Sequence, residues 1–330
     1  MTAGPAVSAG NARRPGARLL PDGRRLHLQD GPIDLIIEAF GPREVVEVAY
    51  RAALQRLTGL LDALCEELPA LRRPVSKRNH DRRESFPRPP ARCAPGVGGS
   101  CDESEGGLIS PVARRMTAAV RPYSDKIFIT PMAAVAGSVA DEILDAMVSV
   151  AGAGLARAYV NNGGDIALHL TPGTRFTTGL VDRPDQPTIF GTAEITADDP
   201  VRGIATSGAG GRSFSLGIAD AVTILARDAA SADAAATVVA NAVNIAHPGI
   251  VRLPARDIQP DSDLGDRLVT RAVPPLAQPE IDAALDAGVA IAEQLRAENL
   301  IVAAALHLQG TTRPVGPFLR SAISDQSCNI

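Results

Sequence analysis

Residues 203–241 read Gly203-Ile-Ala-Thr206-Ser207-Gly208-Ala-Gly-Gly211-Arg212-Ser-Phe-Ser-Leu-Gly-Ile-Ala-Asp220-Ala-Val-Thr-Ile-Leu-Ala-Arg-Asp-Ala-Ala-Ser-Ala-Asp233-Ala-Ala-Ala-Thr237-Val-Val-Ala-Asn241. Glycine lets a main chain approach a ligand closely and take positive φ, so the turn at 206–211, with the hydroxyls of Thr206 and Ser207, can aim N–H groups at an anion. A strand over 214–225 and a helix over 231–245 follow from the apolar run and the alanine-rich spacing. On that helix Asp233 and Thr237 stand at i and i+4, one above the other on a single face. Oxygen donors so placed suit a hard cation such as Mg²⁺, and a cation beside an anion-binding turn points to a nucleotide-like ligand.

The rest of the chain bounds this reading. Its 330 residues are 45% apolar, enough for a core, but only 3% aromatic with no Trp, so Ala, Val, Leu and Ile must fill the interior. A net charge of −4 supplies no basic field for nucleic acid or an anionic membrane. No run is long and apolar enough for a signal peptide or a membrane span, which gives the expectation of a cytoplasmic protein. Cys65, Cys93, Cys101 and Cys328 show no CxxC spacing, so reduced thiols are expected.

Outward from the opening stretch, residues 1–18 read as a disordered terminus, and 19–330 as one α+β domain with a disordered, Pro- and charge-rich insertion at 72–107. A hairpin is expected around Asp30-Gly31-Pro32, joining strands 24–29 and 33–40. One helix is expected from Pro42 to Leu71, because Val46, Ala49, Ala53, Leu57, Leu60, Leu61 and Leu64 recur at helical spacing. A short helix over 113–120, a strand over 126–130 and a long helix over 132–150 come next. Strands follow at 156–161, 166–170, 176–181, 188–196 and 203–206. Residues 248–279 read as a surface loop, 279–296 as a helix and 301–308 as a last strand. Short turns between strands imply a largely antiparallel sheet with packed helices. The order strand, helix, strand pair recurs around 126–170 and 214–245, which gives the expectation of an internal duplication.

The tetrad Asn162-Gly163-Gly164-Asp165 is a hairpin signal in its own right. With the turn at 206–211 it also makes a second side-chain-poor bend, and two such bends beside one helix can clamp a pyrophosphate. Ala133, Ala134, Ala136, Gly137 and Ala140 form a small-residue face, suited equally to close helix packing and to a flat ligand. Asp141 on that helix reads as a solvated carboxylate. Asp220, at the end of an apolar run, needs a partner if buried, and Arg212 is the candidate, unless Arg212 meets a phosphate. None of His27, His80, His169, His247 and His307 stands at ligand spacing from another, and no GxSxG, Walker or HExxH pattern occurs.

Three blocks together, Thr130-Pro-Met-Ala-Ala-Val-Ala-Gly137, Val160-Asn-Asn-Gly-Gly-Asp165-Ile, and Gly203-Ile-Ala-Thr-Ser-Gly through Asp220 to Asp233 and Thr237, resemble a prokaryotic branch of the ApbE-like superfamily. Its best-known members are FAD:protein FMN transferases. The resemblance covers 109–246, and 19–70 and 280–309 in layout only. It implies an α+β, tunnelling-fold-like architecture, FAD or a related nucleotide between the glycine turns, and Mg²⁺ on Asp233 and Thr237. Gly137, Asn162, Gly163, Gly164, Asp165, Thr206, Ser207, Gly208 and Arg212 become the candidate nucleotide-binding residues. The transferases carry Lys-Gly where this chain has Ala136-Gly137, and His-x-x-Asp-Pro where it has Ser215 to Asp220, so no catalytic residue carries over. Nucleotidyl or FMN transfer to an acceptor protein is the first expectation. A persulfide-carrying sulfur-transfer factor working through Cys328 or Cys65, and a non-catalytic binding protein of the same fold, are the alternatives. Small helix faces and strand edges also suit a homo-oligomer.

Overall fold

In the computed structural model, which describes residues 14–75, 108–181, 189–211, 213–317 and 319–321, β1 (Gly16–Leu19) leads into the expected hairpin of β2 (Leu26–Asp30) and β3 (Ile33–Phe40). The helix expected from Pro42 to Leu71 is two, α1 (Arg43–Leu57) and α2 (Leu60–Leu71), because Thr58 turns extended and Gly59 takes left-handed backbone between them. α3 (Pro111–Val120) begins on Ser110, whose hydroxyl accepts from the Ala113 N–H. Residues 126–130 are irregular rather than a strand: the N–H groups of Lys126 and Ile127 turn back to the Tyr123 carbonyl instead of joining a ladder. After a 3₁₀ turn over Pro131–Ala134 comes α4 (Val135–Ala151), then β4 (Arg157–Asn162) and β5 (Asp165–Leu170).

Next come β6 (Arg175–Val181), β7 (Ile189–Thr196), β8 (Gly203–Ser207) and β9 (Ala221–Ala226). The strand expected over 214–225 is thus confined to its last residues. α5 (Ala229–Ala242) is followed by a segment expected as a loop, which instead holds the hairpin β10 (Val251–Pro254) and β11 (Leu268–Ala272) with the single turn α6 (Ala255–Ile258) between them. α7 (Gln278–Ala297), β12 (Ala303–Leu308), β13 (Thr311–Val315) and β14 (Leu319–Ser321) complete the described chain.

The architecture is α+β. Nine strands form one antiparallel sheet in the order β1-β2-β3-β4-β5-β8-β9-β12-β13, and β14-β7-β6 form a second, three-stranded sheet. Two halves share one plan. A hairpin (β2–β3), helices (α1 to α4) and a hairpin (β4–β5) make the first, and β8–β9, α5 to α7 and β12–β13 make the second. The repeat is longer than its sequence trace at 126–170 and 214–245, because each unit includes the hairpin before its helices. Along the sheet the halves meet where β5 pairs with β8, at Ile166↔Ile204 and Ala167↔Gly203.

The helices cover one face of the large sheet, where Leu35, Ile37 and Val160 pack under α1 and α4, and Ala205, Val222 and Ile224 pack under α5 and α7. The other face carries Leu168, Leu170, Ile204 and Leu225, which pack with Ile195 of β7. α5 is buried on nearly all sides, so its Ala229, Ala230, Ala232, Ala234, Ala235, Ala236 and Ala240 are the side chains that fit. The approach is close: a Cβ on Gly203 would lie 2.0 Å from the Asp228 carbonyl, so β8 can lie against the start of α5 only without one.

Candidate functional site

The site begins where two helix N-termini cross. α4 has no side-chain cap of its own, since Ala134 stands at the N-cap position. Asp233 of α5 fills that role: its Oδ2 accepts the Gly137 N–H at 3.0 Å, and the Ala136 N–H also donates to the carboxylate. The arrangement is reciprocal, because Asp141 of α4 accepts the Ala229 N–H at 3.0 Å and the Ala230 N–H at 2.9 Å at the start of α5. Asp228 adds a cap from within the chain, accepting from Ser231 N–H at 2.6 Å. In each helix the carboxylate lies four residues beyond an amide that the other helix's carboxylate accepts, Gly137 before Asp141 and Ala229 before Asp233. Asp141 is therefore a buried structural group rather than the solvated carboxylate expected from sequence.

The two caps differ in their charge surroundings. Burial pushes the Asp141 carboxyl up to about 7 against the pull of its two amide donors, with Asp228 adding to the rise and Arg115, 3.9 Å away, opposing it. Asp233 keeps intermediate exposure as a residue while protein surrounds its carboxyl group. Burial raises it well above the usual carboxylate range, the Asp165 charge raises it further, the Gly137 and Ala136 amides oppose, and Asp141 raises it again. Among the described residues Asp233 forms no ion pair with a Lys, Arg or His. Where one cap has an arginine, the other has a second carboxylate.

Asp165 arrives on the β4–β5 turn. Asn162 and Asp165 are the last paired residues, and Gly163 and Gly164 turn the chain at φ +68° and +115°, backbone that side-chain-bearing residues rarely adopt. Asn161 Oδ1 accepts the Gly164 N–H at 2.8 Å, and Asn162 Nδ2 donates to the Ala136 carbonyl at 3.1 Å, tying the turn to the first turn of α4. β5 leads away from this turn and β8, antiparallel to it, runs toward Ser207, so both glycine bends lie at one end of the sheet.

Strand alternation then divides the two hydroxyls. Ala205 belongs to the helix side and Ile204 to the opposite side, so Ser207 shares the side of Asp233 and Thr206 points away from it. Thr206 instead shares a hydrogen bond of 2.9 Å with Thr223. The turn at 208–211 uses donors internally, with Ala209 N–H to the Ala219 carbonyl and Gly211 N–H to the Gly208 carbonyl, and Gly208 lies against the Asp220 carbonyl. Arg212 lies outside the described residues. Among the described residues, the Gln309 N–H donates to Asp220 Oδ2 at 2.5 Å. Thr237 lies one turn beyond Asp233 on the same helical face.

Asp165, Asp233, Gly137 and Asn162 are thus brought together, Ser207 and Thr237 lie on the same side of the sheet, and Thr206 does not. Asp141 is the buried neighbour whose capping role sequence reading missed, and its signal was present: it stands four residues after Gly137, the spacing that Asp233 has from Ala229. Among the described residues no group of three or more His, Cys, Asp or Glu side chains converges as a metal cluster. Cys65 is exposed on α2, and Cys93, Cys101 and Cys328 lie outside the described residues. No described helix is long and apolar enough to cross a membrane.

Two hairpin–helix–hairpin halves with facing carboxylates at their seam define the class as a duplicated α+β fold with a polar site at the junction. A family model described as "AbpE bacteria" matches residues 17–95 and 99–314, and the chain belongs to that family. The likeness to the ApbE-like superfamily carried by the three sequence blocks holds. A UPF0280 protein of Methanococcoides burtonii is 37% identical over 148 residues, 42% of this chain and 55% of the relative. One of Methanosphaerula palustris is 40% identical over 132 residues, 37% of this chain and 48% of the relative. The chain spans about half the length of the curated relatives it matches. The apo crystal structure of Pseudomonas stutzeri flavinyl transferase ApbE superposes over 97% of this chain and 100% of that one, at 12% identity and a TM-score of 0.42. The ApbE protein of Thermotoga maritima gives 13% identity, 93% and 99% coverage and a TM-score of 0.40.

Proposed function

We propose that this chain binds a nucleotide diphosphate, with FAD the first candidate, together with Mg²⁺ at the Asp165–Asp233 pair, and that it transfers the nucleotidyl or FMN portion to an acceptor protein. One observation carries the reading: the buried Asp233 carboxyl is raised by two neighbouring carboxylates, Asp165 and Asp141, where the matching cap Asp141 has Arg115 beside it. A desolvated carboxyl beside like charges, as Asp233 is, is stabilised by a proton or a cation. The donor set fits Mg²⁺, a hard ion that takes one or two carboxylates and completes its shell with water and substrate phosphate. When bound, the ion neutralises charge that develops on a pyrophosphate.

Asp165 and Asp233 hold the cation, and the Thr237 hydroxyl adds an oxygen from the same face of α5. The amides of Ala136 and Gly137 fix the Asp233 carboxylate so that it does not swing into solvent. Gly163 and Gly164 leave the main chain bare where phosphate oxygens approach, and Ser207 offers a hydroxyl from β8. In the transfer, the P–O bond between the two phosphates breaks, the AMP portion leaves, and an acceptor oxygen bonds to the FMN phosphorus as its proton passes to solvent. The assignment of FMN rests on the family resemblance and the diphosphate on the geometry.

Calorimetric titration with FAD, and separately with ADP, in the presence of Mg²⁺ tests this. Wild type is expected to bind, and Asp233→Asn, which keeps an acceptor for the Gly137 N–H, is expected to lose at least about tenfold in affinity, or about 1.4 kcal/mol. Absence of binding heat from the wild type with both nucleotides would sink the reading.

A further inference from the structure

We infer that Asn162 is a positioning residue that sets the separation of the two carboxylates while touching neither cation nor nucleotide. The inference rests on the cation reading given above and goes past it in assigning Asn162, which the family resemblance placed among the nucleotide-binding residues, to protein contacts.

Asp165 and Asp233 belong to different halves of the molecule, and each is carried by its own element, the β4–β5 turn and α5. Asp165 is held through the strand pairing Asn162↔Asp165. Asp233 is held through the Gly137 and Ala136 amides at the start of α4. One side chain joins these supports: Asn162, 6% exposed, pairs with Asp165 through its main chain and donates from Nδ2 to the Ala136 carbonyl at 3.1 Å. Ala136 is therefore gripped at both ends of one residue, its carbonyl by Asn162 of the turn and its N–H by Asp233. A chain of three contacts runs from one carboxylate to the other, and Asn162 is its middle link.

The position is also directional. On β4, Ala158 and Val160 pack on the helix side, and Asn162 follows them in alternation, so its amide faces α4 from beneath. Asn161, on the other face, secures only its own turn through Gly164 N–H. Removing the Asn162 amide leaves the strand pairing of Asp165 and the capping of α4 by Asp233 in place, but frees each to shift relative to the other. Mg²⁺ demands near-ideal octahedral geometry, so small displacements of its carboxylates lower affinity.

Mn²⁺ titration followed by electron paramagnetic resonance tests this on the full chain without any nucleotide. Wild type is expected to bind Mn²⁺, and Asn162→Ala to bind it at least about tenfold more weakly with an altered bound-ion spectrum, a change that a purely structural role would not produce in the folded fraction. Asn162→Ser, which can still donate through a water, is expected to fall between the two and stands in for the alanine variant should that variant fail to fold. Wild-type affinity and spectrum in both variants, beside weak binding by Asp233→Asn, would overturn the positioning role alone. A wild type that binds no Mn²⁺ would overturn the cation reading and this inference with it.

Discussion

Gly137→Ala is expected to lower the unfolding free energy by about 3 kcal/mol or more. A Cβ at this position would lie 2.2 Å from the Ala229 carbonyl oxygen, 2.5 Å from its carbon and 2.9 Å from the Ala230 nitrogen. All three are main-chain atoms at the first turn of a buried helix, so no side chain can rotate aside. Relief requires α4 and α5 to separate, and that movement lengthens the four hydrogen bonds by which Asp233 and Asp141 cap the opposing helices. Overpacking in a core costs about 1–3 kcal/mol where neighbours can yield, and here they cannot. Urea unfolding followed by circular dichroism should show a lower midpoint at unchanged slope. A loss of less than about 0.5 kcal/mol, the range of an ordinary surface substitution, would show that the helices do not cross this closely.

Asp141→Ala should cost nearly as much, about 2–4 kcal/mol, because it strips two buried N–H groups of their acceptor and leaves Arg115 facing only Glu142 and Asp145. Asp141→Asn keeps an acceptor oxygen and should cost less. The pair also separates in its response to pH. The Asp141 carboxyl is held up to about 7 in the folded chain, above its ordinary value of 3.8. The stability it contributes is therefore fully present below the ordinary value and is lost as pH rises through the folded one. Wild-type stability should decline across that window by an amount that Asp141→Asn, which has no titrating group there, does not show. Parallel pH profiles for the two proteins would contradict a raised Asp141.

What could be read from the sequence was local. The β4–β5 hairpin followed from two glycines after asparagine, and α5 from a run of alanines with Asp233 and Thr237 in i, i+4 register. The placement of Ser207 and Thr206 was not legible, because adjacent residues on a strand face opposite ways and the sequence does not say which face is covered. Asp141 was misread for a similar reason: helical spacing gives its direction around α4, but its acceptor role depends on amides 88 residues away in the chain. The hairpin within 248–279 was hidden by its Pro and Asp content. The expected long helix after Pro42 broke at Gly59 because one left-handed residue outweighs a favourable apolar pattern. Asp220, half-buried, accepts the Gln309 N–H, a main-chain donor that sequence reasoning could not supply, while its candidate partner Arg212 lies outside the described residues.

The duplicated plan divides the carboxylates at its seam between the two halves. Asp165 stands on the final hairpin of one half and Asp233 on the first helix of the next, so neither half by itself carries both carboxylates. The reciprocal caps Asp233 on α4 and Asp141 on α5 make the same seam a lock between the halves. A ligand that met both carboxylates, as proposed, would rivet the halves together, and its occupancy and their cohesion would then be a single thermodynamic quantity.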